Sequence, residues 1–275
     1  MGSDDWKSMT RVLIGNKPKR RVVLARMGEQ AGFDVLPMKL DKDSIASPAV
    51  DVIIPTGRAE YDLLRPKPMA MARSLVPKVG HVMLADHKAL FNQWLFDNGF
   101  ADCVPRIFHR TEPLIFPLIH KACIDANGEN SHLILSEEDL ARHDTDAELP
   151  GGTFLQEYVV GAAEHAAHVI AIEGKVVYAA TVTSLHRPSH FVKGQRETPI
   201  RWVVRNDYAP PEVFDILARL SYTGAACFDY KIDGGQMKLF EMNPRIGGSF
   251  WNLDADYLLA YAKAVGLLGV PSDQP

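Results

Sequence analysis

Two strand-like runs near the C-terminus constrain the chain more than any other feature: GAACFDYKI, containing Asp229, and FEMNPRIGGS, from Phe240 to Ser249. Asp233, Gly234 and Gly235 lie between them and supply the turn chemistry of an antiparallel hairpin. Side chains alternate along a strand, so Glu241 and Asn243 share a face and present a carboxylate and an amide oxygen together. A hard divalent cation takes oxygen ligands and in nucleotide enzymes is held by one or two carboxylates plus phosphate. Asp229 then comes from the neighbouring strand. An odd number of loop residues places it on the face of Glu241, whereas an unbulged two-residue loop would oppose the two, so an odd loop is expected. The opposite face carries Phe228, Tyr230, Phe240 and Met242, an apolar set suited to packing against a helix.

On these residues, with Pro244, Arg245 and the glycines behind them, the chain resembles the ATP-grasp superfamily, the carboxylate-activating ligases such as biotin carboxylase, carbamoyl phosphate synthetase and D-alanine ligase. The resemblance implies that Asp229, Glu241 and Asn243 bind Mg2+, with Mn2+ as the substitute ion, and that Arg245 holds a phosphorylated intermediate.

Triphosphate binding asks for compact cations that need no fixed fork, which is lysine chemistry. Lys88 opens the run DHKALFNQWLFDNGFADCVP, and Lys121 closes Pro117-Leu118-Ile119-His120-Lys121. Both match the lysine contexts of the resembling family, where they contact ATP, and Lys121 is also placed beside the reacting phosphate. The segment DANGENS (125–131) after Lys121 has one glycine, Gly128, where the family's phosphate loop is glycine-dense. Asn130 and Ser131 are its remaining donors, and a plain turn stays open as the alternative. Gln156-Glu157-Tyr158-Val159-Val160-Gly161, followed by Glu164, matches the family's hinge. There Glu157, Tyr158 and Val159 flank adenine through backbone groups and Glu164 takes the ribose hydroxyls, since extended backbone offers one donor and one acceptor to a base edge.

The remaining motifs exclude more than they assign. No GxGxxG is present, and Gly174-Lys175 has Val169 where a Walker A motif needs its first glycine. His186 and His190 are separated by Pro188, which breaks the helix that a zinc pair would use. With Arg187, Lys193 and Arg196 of the aperiodic loop 187–197 they are suited to contacting phosphate or an acidic substrate. Arg187, Lys193, Arg245, Gly247 and Gly248 are the candidate substrate residues, the glycines allowing close approach.

With 275 residues the chain can bury a large core. Its net charge of −4 gives no basis for capture of nucleic acid or anionic membrane, and the short basic run Lys17–Arg21 reads as an exposed helix start. The three cysteines, Cys103, Cys123 and Cys227, form neither a disulfide framework nor a CxxC pair. Neither a secretory signal nor an apolar span of membrane length is present, and a cytoplasmic location is expected.

Along the chain, RVLIG, DVLPM and DVIIPTG alternate with helical stretches, and HVMLA (81–85) closes this opening unit. Asp86 is the expected N-cap of a helix with Leu90, Phe91, Trp94 and Leu95 on one face and Gly99 behind it. Ser136 and Asp139 form a capping box. TFLQEYVV, AAHVIAI, KVVYAATV and TPIRWVV are strands, Val213–Leu220 is a helix, and the hairpin ends the core. The expected fold class is α/β with α+β, an ATP-grasp fold. A small N-terminal α/β domain, 10–85, precedes an ATP-grasp domain, 86–270, whose subdomains, 86–155 and 156–270, sandwich ATP.

The expected function is ATP-dependent ligation of a small-molecule carboxylate to an amine through an acyl phosphate, with a homodimer as the commonest symmetric assembly. Alternatives are a nucleotide-binding module or kinase-like protein without ligase chemistry, or an enzyme forming carboxyphosphate or carbamoyl phosphate.

Overall fold

In the computed structural model, residues 9–15, 21–109, 111–125, 128, 130–143, 151–187, 190–192 and 198–269 are described. The first three apolar runs form a parallel sheet of order β2-β1-β3, from β1 (Arg11–Ile14), β2 (Asp34–Pro37) and β3 (Val52–Ile54). Parallel neighbours need crossovers, supplied by α1 (Arg21–Ala31) and the short α2 (Lys42–Ala46), which is capped by the Asp41 carboxylate. Leu24 and Met27 of α1 are buried against this sheet. α3 (Arg58–Leu64) and α4 (Pro68–Met71) follow.

His81–Ala85, which follows the strand runs of the opening unit, is not a further strand of its sheet. That run lies within a helix, α5 (Val79–Asp86), because a short apolar stretch carries no periodicity of its own and here Val82 and Ala85 fall on the buried side of a turn. Asp86 consequently ends α5, and His87 caps α6 (Lys88–Asp97) by accepting from the Leu90 N–H at 3.3 Å. The buried stripe of α6 is Lys88, Phe91, Asn92 and Leu95, with Leu90 turned to solvent. The i, i+3, i+7 spacing therefore aims Lys88 inward with the core residues rather than outward.

A four-stranded antiparallel sheet follows in the order β4-β7-β5-β6, from β4 (Ile107–Phe108), β5 (Leu118–Ala122), β6 (Ser131–Ile134) and β7 (Thr153–Glu157). Leu140 of α7 (Glu137–Arg142) packs on it with Phe108, Leu118, Ile134 and Leu155, and Ser136 caps that helix as expected. The third sheet is antiparallel with order β10-β9-β8-β11-β12, from β8 (Ala163–Ile172), β9 (Lys175–Leu185), β10 (Arg201–Asn206), β11 (Gly224–Asp233) and β12 (Gln236–Asn243). One face of it packs on α8 (Pro211–Leu220), α5 and α6 through Val213, Ile216, Leu217, Ala85, Phe91, Phe228, Tyr230 and Met242.

The hairpin β11–β12 does not end the core. A last helix, α9 (Asp256–Gly269), places Tyr257, Leu258, Tyr261 and Val265 in one cluster with the first sheet and α1. Their spacing along one helical face is the signal for it. The Tyr261 hydroxyl accepts from the Leu75 N–H at 2.9 Å and donates to the Ile53 carbonyl at 3.3 Å. Among the described residues no helix is long and apolar enough to cross a membrane.

Candidate active site

The turn of the β11–β12 hairpin is Gly234-Gly235, both at positive φ (54° and 85°), between the paired Asp233 and Gln236. The loop is thus two residues and not odd. Asp229 nevertheless pairs directly with Glu241, because the register slips by one residue between Asp229 and Tyr230 and Phe240 becomes the extra residue of a β-bulge. The bulge supplies the parity change assigned to the loop. It also removes Phe240 from the helix-facing set that retains Phe228, Tyr230 and Met242. Phe240 lines a cavity instead, with the Lys121 ammonium 5.0 Å from its ring centre.

Around that pair the polar groups close tightly. The Asn243 side-chain N–H2 donates to Asp229 Oδ2 at 3.1 Å and Glu241 Oε1 at 3.0 Å, and Lys88 Nζ lies 3.2 Å from Glu241 Oε2. Lys88 also donates to the Asp125 carbonyl at 3.2 Å. Burial raises the Glu241 carboxyl's pKa, but Lys88, the Asn243 amide and Lys121 outweigh it and hold the group below the usual carboxylate value. Lys121, from the neighbouring sheet, donates to Gln156 Oε1 at 2.9 Å, and Gln156 is itself fixed by donating to the Pro105 carbonyl at 3.3 Å. Burial lowers the Lys121 pKa to about 8, with Lys88 adding to the shift while Glu241 and Glu164 oppose it.

A cavity of about 290 Å³ runs between the second and third sheets, near the lower end of ligand-pocket sizes. Lys88, Lys121, Asp229, Glu241, Asn243 and Arg245 line one end of it, and Tyr158, Val159, Glu164, Phe191, Trp202 and Lys231 line the rest. Glu157, the last residue of β7, bonds Arg106 twice, through its own N–H at 2.7 Å and its carboxylate at 3.1 Å. The Tyr158 hydroxyl donates to the Phe191 carbonyl at 2.8 Å and accepts from the Phe191 N–H, clamping the two residues together. The Val159 carbonyl accepts from Lys231 Nζ at 3.0 Å. Glu164, on β8, is buried.

Other expected residues sit less directly. Asn130 turns its amide and N–H to the Asp125 carboxylate at 3.2 Å, bracing the residue whose carbonyl meets Lys88, while Ser131 and Gly128 line the cavity. Arg245 donates to the Ile246 carbonyl at 3.0 Å. Gly248 is exposed at the cavity, whereas a Cβ on Gly247 would stand 2.3 Å from Cys227 Sγ, so packing rather than ligand approach excludes a side chain there. Arg187 is exposed, and His186 and His190 stack on Phe191 and Tyr158 at 3.8 and 5.6 Å between ring centres. Lys193 and Arg196, like Lys17–Arg20, lie outside the described residues.

Sequence reasoning missed Lys231, Phe191, Trp202, Asp125 and Ser249. Lys231 was accessible to it, standing two residues after Asp229 on the same strand face. Phe191 lies in the 187–197 loop with no pattern to mark it, Trp202 stands apart from the motifs, and the fold brings both to the cavity.

No protein-family model and no curated protein matches the sequence. Solved structures do. Phosphoribosylamine–glycine ligase from Thermotoga maritima is similar with a TM-score of 0.71 at 15% identity, over 94% of this chain and 75% of that one. Biotin carboxylase from Campylobacter jejuni, in a β-γ-ATP complex, follows at 0.58 and 16%, over 96% and 72%. D-alanine–D-alanine ligase from Bacillus anthracis, complexed with ATP, matches at 0.54 and 14%, over 94% and 98%. At these identities the likeness concerns architecture, and the chain has the ATP-grasp fold.

Proposed function

We propose that this protein is an ATP-dependent ligase that joins a small carboxylate, of amino-acid or peptide-like type, to an amine through an acyl phosphate. The observation that carries the reading is the pairing of Asp229 with Glu241 across one ladder, at the cavity end that also holds Lys88 and Lys121. The solved ligases of this fold include ATP complexes, which supports a nucleotide in the same cleft.

The donor set fits a divalent cation. The Asp229 and Glu241 carboxylates face each other on one strand pair, bridged by the Asn243 N–H2 at 3.1 and 3.0 Å, and turning that amide over would present its oxygen beside them, with the buried Lys88 ammonium 3.2 Å from Glu241. Among the described residues no group of three or more His, Cys, Asp or Glu is placed to hold a metal ion, so an ion at Asp229 and Glu241 would need phosphate and water as further ligands. Magnesium held by Asp229, Glu241 and Asn243 would supply charge neutralisation at the phosphates.

The chain's own residues perform the rest by positioning and electrostatics, as phosphoryl transfer requires. Lys88 and Lys121 bind phosphate oxygens in a desolvated cleft, where a charge acts more strongly than in water. Glu164 takes the ribose, and Tyr158 and Val159 flank the base. Arg245 forks onto the oxygens of the acyl phosphate, and its guanidinium suits that contact where an ammonium would not. Residues 10–85, as a separate domain, and the 187–197 loop contribute to carboxylate and amine binding.

The test is ADP release in the presence of paired amino acids and simple acids. The parent is expected to release ADP only when an acid substrate is supplied, and Glu241→Gln and Arg245→Ala to lose at least about a hundredfold of that rate while remaining folded. Equal ADP release by parent and variants would refute the assignment.

A further inference from the structure

Lys231 is a buried cation that the phosphate chemistry does not use. It lies on the cavity face of β11, and the β8–β11 ladder, whose last pair is Tyr230 with His165, brings it next to Glu164 at the ribose position. Only 2% of the residue is exposed. Its ammonium donates to the Val159 carbonyl at 3.0 Å and stands 4.4 Å from the ring centre of Phe191 and 5.1 Å from that of Tyr158. Two aromatic rings and a hinge carbonyl thus surround one donor-only group at the base end of the cleft.

A bare hinge carbonyl selects bases by repulsion. It accepts from the exocyclic amine of adenine, and it opposes the oxygen that guanine or hypoxanthine carries at the same position, leaving two acceptors face to face. Here that carbonyl is already met by an ammonium, which has further N–H groups to give and no lone pair. An oxygen on the base then meets a cation, while an amine can still use the second lone pair of the carbonyl. We propose that Lys231 reads the nucleobase edge and admits a 6-oxopurine nucleotide to the cleft alongside ATP. This rests on the nucleotide reading given above.

A purely structural lysine, bracing the hinge, would affect every nucleotide alike, so the ratio of affinities separates the two roles. The probes are MgATP and MgITP, because inosine carries an oxygen in place of the 6-amine, with the accompanying proton on N1, and adds no 2-amino group. Calorimetric titration of the full chain is expected to give dissociation constants for the two within about tenfold of each other. In Lys231→Met the carbonyl is bare, and the ITP:ATP ratio should widen by about tenfold to a hundredfold. Lys231→Arg, which keeps a donor, should retain ITP binding. A parent that binds ATP but takes ITP more than about a hundredfold more weakly overturns the proposal, as does an equal loss of both nucleotides in a folded Lys231→Met. Binding of neither by the parent would remove the nucleotide reading itself and this inference with it.

Discussion

Lys121 shows at the scale of one side chain how function and stability oppose each other. It is buried with a single strong hydrogen bond, and its pKa falls from 10.5 to about 8. Between those values the unfolded chain holds a proton that the folded chain has released, so folding stability contributed by this group rises with pH across that window and is lowest below about 8. Chemical denaturation of Lys121→Met beside the parent should therefore show the parent gaining stability relative to the variant from pH 8 to 10.5. A constant difference would contradict the burial argument. The same titration removes a phosphate-binding charge, so nucleotide affinity should weaken as pH rises past about 8 in the parent and stay flat in the variant. Lys88 and Lys121 were legible in the sequence because flanking patterns marked them out from solvated lysines. Lys231 obeys the same two-residue parity as Glu241 and Asn243, but a lone lysine in a strand has no neighbours to distinguish it.

Among the elements, the β11–β12 hairpin carries the site, and its detail turns on one residue. That Asp229 and Glu241 share a face was readable from the ligand chemistry of the motif, although the odd loop expected to bring it about is a two-residue turn. The means was not, since a bulge is stabilised by surroundings outside the strand: Phe240 leaves the helix-facing core and covers Lys121. The Gly247 segment is equally constrained. Its missing side chain accommodates Cys227, with His168 Cε1 3.1 Å from where a Cβ would be, and His168 is in turn within 2.8 Å of Ser249 at the cavity. Gly247→Ala should cost about 1–3 kcal/mol in thermal or denaturant unfolding, and Cys227→Ala should recover part of that in the double variant. Strict additivity of the two would mean that the contact does not exist. The Tyr158–Phe191 clamp escaped the sequence because neither residue stands in a periodic pattern with the other.

On the scale of the molecule, the first sheet and most of the third appear in the sequence as strand groupings, whereas β4 and β6 of the second sheet are too short to show a pattern, TFLQEYVV reads with the later strands, and the closure of the fold is not visible at all. α9 returns to the first sheet, and Tyr61 of α3 donates to the Pro244 carbonyl at 2.7 Å, tying the N-terminal layer to the loop that bears Arg245. Such contacts join positions far apart in the chain, and no local propensity encodes them. Tyr61→Phe would leave the buried Pro244 carbonyl unmatched and should cost about 1–3 kcal/mol of stability, measured by denaturant unfolding. An unchanged midpoint would show that the tie is dispensable.

The proposed chemistry needs Asp229 and Glu241 jointly to hold a divalent ion against a nucleotide bound by Lys88 and Lys121. Electron paramagnetic resonance of Mn2+ titrated into the protein with ATP addresses this most directly. An ATP-dependent bound-ion signal is expected in the parent and is expected to disappear in Asp229→Asn and Glu241→Gln with circular dichroism unchanged, whereas the same bound signal in parent and both variants would contradict a shared metal site.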